Sequence, residues 1–376
     1  MISATINKNF NLVELKKIID SFSWSEEKVI DFHRGLGNVK TPIVFLPDLA
    51  GKLGIKKLLL KDESKRFGLG SFKVLGASYA MNNQIKKNPR IKVFCTATDG
   101  NHGRSVAWMS RKLGRKAVVY MPGETVSARV DAIKKEGAEV IFIEGGYDAA
   151  VIQASNYVEK ENKKYSHNIF CLIQDTAWEG YQNIPLDIMK GYSTQIAEIT
   201  EQIKDEKIDI IFLQSGVGSW AASVISYIIR EWDRIPFFIS VEPYSANCLY
   251  ESIIKEEKVS VENDKKTNMA GLNCGSVSGL AWRILKNSLS YALSISDELS
   301  EKSMQLLASK SSSDPKIVSG ESGAAGLAGL IGLCDSIKFK NLKKTINLND
   351  SSSVLVINTE GDTDPVNYAK VIKEID

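Results

Sequence analysis

Lys73 stands in GLGSFKVLGASYAM, where small residues and one aromatic, Phe72, precede a lysine that opens an apolar helical pattern. A lysine at such a boundary is partly desolvated, the condition under which its amine becomes a good Schiff-base former. A lysine that snorkels from a helix start has the same surroundings, so Lys73 alone does not decide the chemistry. A second candidate lies in ATDGNHGRS, directly after the run VFCTAT and before a helical pattern. Asp99, Gly100, Asn101, His102 and Gly103 therefore fall on a strand-to-helix turn, whose unpaired N–H groups and positive dipole end suit a substrate carboxylate. Asn101 can also hydrogen-bond a cofactor oxygen, although a tight turn with an aspartate cap is the plainer reading. LQSGVGSWAAS repeats the logic after IDIIFLQ. Gly216, Val217 and Gly218 let the backbone approach a phosphate, and Ser219 adds a hydroxyl at the helix start. The same G-x-G-x-x-A, with Glu242 closing FFISVEP, also fits a dinucleotide fingerprint. TEGDTD clusters Glu360, Asp362 and Asp364 but lacks the ladder of a calcium loop, and no metal site is expected. His33 and His167 are isolated and read as structural or surface residues.

These residues need elements to hold them. From Ile91 onward short β-branched or aromatic runs (VFCTAT, KAVVYMP, EVIFIE) alternate with helical patterns, and a second set (IDIIFLQ, FFISVEP, SSVLVIN) follows the polar stretch near Asp205. The alternation implies βαβ units, parallel sheets and an α/β fold. Between the two blocks, TAWEGYQNIPLDIMKGYSTQIAEITEQI reads mainly as helix. Two α/β lobes with the functional residues in the cleft between them are expected.

Bulk properties narrow the function classes. With 48 basic against 45 acidic residues in 376, the net charge of +3 argues against a nucleic-acid or membrane partner. No run of about 18 apolar residues and no signal-like start are present, so a cytoplasmic protein is expected. Cys95, Cys171, Cys248, Cys274 and Cys334 form no C-x-x-C pair, which disfavours zinc and a disulfide framework. Cys248 and Cys274 lie near polar loops where an approach is open.

Taken together, SFK near 73, DGNHG near 99, GVGS near 216 and TEGDTD near 359 resemble, in order and spacing, the fold type II pyridoxal-5′-phosphate (PLP) enzymes of the tryptophan synthase beta-like family. KTPIVFLPDLAGKLGIKKLLLKDES leads into the lysine as in that family. Within the fold type the chain resembles the diaminopropionate ammonia-lyases through RFGLGSFKVLGASYA, ATDGNHGRSVAW, QDTAWEGY, MAGLNCG, SGESGAAGL and NTEGDTDP, over about residues 40 to 368.

The resemblance implies two open, twisted, mostly parallel sheets flanked by helices, with the active site in the interdomain cleft. Residues 1–74 and 191–376 would form a large PLP-binding domain and 75–190 a small α/β domain, usually in a homodimer. Lys73 would hold PLP as a Schiff base beside Phe72. Asn101 would contact the PLP 3′-oxygen, residues 216 to 219 the phosphate, and Asn358 or Thr359 the pyridine nitrogen, where many relatives have a serine. Asp99 would act as a base or bind a second amino group, since the resembling dehydratases usually carry a small residue there. Gly100, Asn101 and His102 would meet the substrate, and Asp175 in QDTAWEGY is a candidate for a cationic substrate group or a helix cap. The implied activity is elimination of ammonia from D- or L-2,3-diaminopropionate to give pyruvate. A serine/threonine dehydratase, an NAD-dependent dehydrogenase and a non-catalytic PLP-binding protein remain alternatives.

Overall fold

The computed structural model describes residues 1–22, 24–204, 206–262 and 266–373. Among the described residues eleven strands make two sheets: β1 Ile2–Ile6, β2 Ile43–Phe45, β3 Lys57–Asp62, β4 Val93–Ala97, β5 Lys116–Pro122, β6 Glu139–Ile143, β7 Phe170–Leu172, β8 Ile210–Gln214, β9 Phe237–Pro243, β10 Tyr291–Ile295 and β11 Ser353–Asn358. The larger sheet has the order β1-β10-β9-β8-β11-β3-β2 and the smaller β6-β5-β4-β7. All neighbours run parallel except the edge pairs β1–β10 and β2–β3. Central strands such as β8 and β11 are buried along their whole length, as strands covered by helices on both faces must be. The fold is thus the α/β arrangement expected, with the chain leaving the larger sheet after β3, building the smaller, and returning at β8.

Two helices join the layers. Helix Lys73–Lys87 packs against helix Asn183–Ile203 at very short range: a Cβ added at Gly191 would meet the Leu75 carbonyl at 2.3 Å, and one at Gly76 the Tyr192 ring at 2.5 Å. His33, from helix Glu26–Gly35, sits fully buried against the same pair. Its Nδ1 meets Thr194 Oγ1 at 2.7 Å and its Nε2 meets the Leu75 carbonyl at 3.0 Å. The first residues of the long run expected as helix, TAWEGYQ, stay outside it. Gly180 has φ +81°, Trp178 and Tyr181 form a bridge, and their rings stack 4.3 Å apart.

Candidate active site

The turn before Lys73 is shaped by positive φ at Phe67, Gly68 and Gly70, and is fastened to the exit of β11. Phe72 N–H donates to the Thr359 carbonyl at 3.3 Å, and Gly361 N–H donates to the Gly70 carbonyl at 2.9 Å. Phe72 packs on Tyr192 and Trp220, with ring centroids 5.0 and 5.3 Å away. Lys73 thereby opens its helix with its Nζ 2.6 Å from Asp175 Oδ2. Burial pulls the Lys73 amine down, but the Asp175 charge and hydrogen bond more than offset this and hold it protonated, above the ordinary lysine value. Burial likewise opposes the Asp175 charge, and Lys73 wins, holding the carboxylate well below its usual range.

Asp175 is itself fixed from behind. Tyr147 donates its hydroxyl to Asp175 Oδ1 at 3.2 Å and accepts from Gln174 Nε2 at 2.6 Å. Gln174 Oε1 in turn accepts from Ala97 N–H and Thr96 Oγ1 on β4. The Asp175 carbonyl accepts from Ser219 Oγ at 2.6 Å, which ties the lysine's partner to the glycine turn of the other sheet.

At the end of β4, Thr98 Oγ1 accepts from Gly100 and Gly103 N–H at 2.9 and 3.2 Å and starts helix Asn101–Lys112. Gly103 is required there, since a Cβ would lie 2.3 Å from Thr98 Cγ2. Asp99 is half-buried; burial pushes its carboxyl up, against the nearby Arg129, to about 7. Asn101 donates to Glu360, and His102 Nε2 meets the Ile173 carbonyl at 2.8 Å, leaving Nδ1 buried with no partner among the described residues.

After β8 the chain turns through Gly218 at φ +85° into helix Ser219–Glu231. Among the described residues no backbone acceptor meets the N–H groups of Gly216, Val217 or Gly218, and Ser215 Oγ is buried without a partner. A Cβ at Gly216 would press on Cys274 Sγ and the Gly271 carbonyl, both at 3.1 Å. Unpaired donors on a glycine turn at a helix N-terminus make an anion cradle.

Phe72, Lys73, Asp99, Gly100, Asn101, His102, Asp175, Gly216, Val217, Gly218, Ser219 and Thr359 all line one cavity of about 860 Å³, open mouth included. Asn358 does not. Its side chain points away from the cavity, donating to Asp62 and the Val318 carbonyl and accepting from Ser319, so no donor is left for a cofactor nitrogen. Thr359, the other candidate for that contact, lines the cavity, and its hydroxyl accepts from Gln214 Nε2 at 3.0 Å. Tyr147, Arg129, Gln214, Cys274 and Glu360 also line it. Of these Glu360 lies in TEGDTD, Gln214 in LQSGVGSWAAS and Cys274 in MAGLNCG, whereas Tyr147 and Arg129 carry no sequence signal. Asp364 instead caps the helix Pro365–Lys373.

The arrangement provides an amine and an anion cradle on one cavity, which fits PLP: the amine for its aldehyde, the cradle for its phosphate. Glu242 does not fit a dinucleotide ribose. It is fully buried and accepts from Leu249 and Tyr250 N–H at 2.8 and 2.6 Å, capping helix Cys248–Lys255. The five cysteines, Cys248 and Cys274 included, are free thiols.

A family model described as pyridoxal-phosphate dependent enzyme matches residues 35–360. Diaminopropionate ammonia-lyase of Escherichia coli (strain K12) is 38% identical over 375 residues, covering 94% of this chain and 92% of that one. The crystal structure of the Escherichia coli enzyme in complex with an aminoacrylate-PLP azomethine reaction intermediate superposes with TM-score 0.89 at 38% identity, covering 100% of this chain and 97% of the other. Threonine dehydratase 1 of Solanum lycopersicum is 29% identical over 227 residues, 59% of this chain and 34% of its own length.

Proposed function

We propose, for a chain that belongs to the pyridoxal-phosphate dependent enzymes and to their diaminopropionate ammonia-lyase family, that it cleaves 2,3-diaminopropionate to pyruvate and two molecules of ammonia. One observation carries this reading: the Lys73 amine, the Asp99 carboxylate and the glycine turn 216–219 share a single cavity in a chain related to that lyase along nearly its full length. PLP, when bound, supplies an electron sink for the pair left at Cα when its proton departs. Lys73 is the amine that would attach the cofactor, and Phe72, Asn101 and Thr359 would be its further contacts. The backbone of Gly216, Val217, Gly218 and Ser219 would bind its phosphate.

Gly100, Asn101 and His102 present the turn that receives the substrate carboxylate. Asp175, held ionised, faces the charged amino group that a diamino acid brings and a hydroxy acid lacks. Lys73 and Asp99 are the two bases for the α-proton, Lys73 for the L-isomer and Asp99 for the D-isomer, working from opposite sides. Loss of the α-proton and of the β-amine leaves an enamine, and its hydrolysis by one water gives pyruvate and the second ammonia.

The working unit in this reading has the larger sheet with residues 1–74 and 191–376 and the smaller with 75–190, meeting at the cavity. We place it in the cytoplasm as a homodimer, the assembly usual in the family. Among the described residues no helix is long and apolar enough to cross a membrane. A light-scattering mass near twice 41.5 kDa is expected, and a mass of one chain would contradict the assembly. A comparison of kcat/KM for 2,3-diaminopropionate with that for serine and threonine tests the substrate. The β-amino compound should be preferred; faster turnover of a β-hydroxyl substrate would favour the dehydratase reading.

A further inference from the structure

Arg129 has no part in the chemistry above, yet its side chain runs along the turn that presents Asp99. A Cβ at Gly100 would meet Arg129 Cδ at 3.0 Å. The residue lies in helix Ser127–Lys135, is 8% exposed, and lines both the cavity and a wider vestibule outside it that Asp99 and Tyr147 also line. Its guanidinium reaches Glu321 across the mouth, Nη2 to Oε2 3.8 Å, at the head of helix Glu321–Asp335. Glu321 is fixed in turn by Asn367, which donates to its other oxygen. Arg129 sits between β5 and β6 of the smaller sheet, whereas the helix of Glu321 packs on β8 and β11 of the larger, so the pair spans the cleft.

We propose that Arg129 is the positioning residue for Asp99: it braces the Asp99–Gly100 turn, supplies the positive charge beside that carboxylate, and is held in place across the mouth by Glu321. The inference rests on the reading of Asp99 as a base. The ionisable groups that face Asp99 are Arg129, Asp148 and Tyr147 on helix Tyr147–Asn162, Lys266 and Cys274. Burial and Asp148 oppose its charge; Arg129, and to a smaller extent Lys266, favour it. Lys266 is largely exposed and paired with Glu124, so solvent screens it and it cannot replace Arg129.

The test uses holoenzyme labelled with ¹³C at the aspartate carboxyls, the Asp99 signal being assigned by its loss in Asp99→Asn. In Arg129→Met the midpoint of that signal should rise by about one pH unit, the size of effect that a single adjacent opposite charge exerts. Arg129→Lys should bring it back toward the wild-type position. The acidic limb of kcat/KM that Asp99→Asn abolishes should move by the same amount in Arg129→Met. An Asp99 midpoint that stays put would overturn the proposal, as would an equal fall in rate at every pH with the limb unmoved, which is what a purely structural role gives. If the Met variant does not fold, Arg129→Gln is read the same way. Whether the limb belongs to the D- or the L-isomer bears on the base assignment and not on Arg129, because the carbon titration needs no substrate.

Discussion

At the scale of single residues, Asp99 lies where burial and Arg129 pull in opposite directions, and burial wins, bringing its carboxyl to about 7. A base must be ionised to take a proton, so turnover of the D-isomer should climb with pH through about 7 and then level off. Asp99→Asn should remove that climb and cost the D-isomer about 10²–10⁴-fold, the usual contribution of a general base, while the L-isomer loses much less. Pyruvate release from each isomer across the pH range checks this; equal losses would contradict the division between Lys73 and Asp99. Lys73 is set differently. Its amine is held charged by Asp175 in this state, against the pull of burial.

At the scale of elements, the cavity is made where strands end and helices begin, and the helices behind it are packed without slack. Gly191 shows this best, since any side chain there strikes the Leu75 carbonyl in the helix that Lys73 opens. Gly191→Ala should destabilise the fold by about 1–3 kcal/mol, as overpacking a tight crossing does, read as a lower urea midpoint. An unchanged midpoint would mean that the two helices have room to part. The same geometry explains what could be read from sequence. Lys73, Asp99 and Gly216–Ser219 each sit at a junction marked by small residues, so local spacing exposes them. Tyr147 and Arg129 reach the cavity from helices of the smaller layer, and nothing in their neighbours announces where those helices pack. Between Asn358 and Thr359 the sequence does not choose, because a strand alternates its faces and the resemblance does not fix which of the two points inward. The short edge strand β1 is not among the expected strands although ISATI alternates apolar and polar residues, and its burial shows no such period, four residues being half-buried and Ile6 exposed.

At the scale of the whole molecule, His33 joins three helices and is kept neutral, burial lowering it to about 3 from an ordinary 6.5. Below its unfolded value the unfolded chain takes a proton that the folded one refuses, so its contribution is whole above about 6.5 and is lost on the way down to 3. The loss approaches about 1.4 kcal/mol for each pH unit. Glu198, in the buried cluster with Arg66 and Lys61, is opposed by burial yet lowered to about 2 by those cations, so its own contribution fades only at more acid pH. Asp99 and Glu242, raised by burial, slope the other way. The difference between wild type and His33→Asn isolates the histidine: denaturant midpoints of the wild type should fall toward those of the variant as pH drops, and a constant gap would contradict this. The account as a whole rests on one cavity that holds PLP through Lys73 and eliminates the β-amine. Its most direct test is the visible absorbance of the purified, PLP-reconstituted protein before and after D- or L-2,3-diaminopropionate, with pyruvate assayed in the same cuvette. A cofactor band that shifts as pyruvate appears, and that is missing in Lys73→Ala, is the predicted result; no band, or a band with no pyruvate from either isomer, would contradict it.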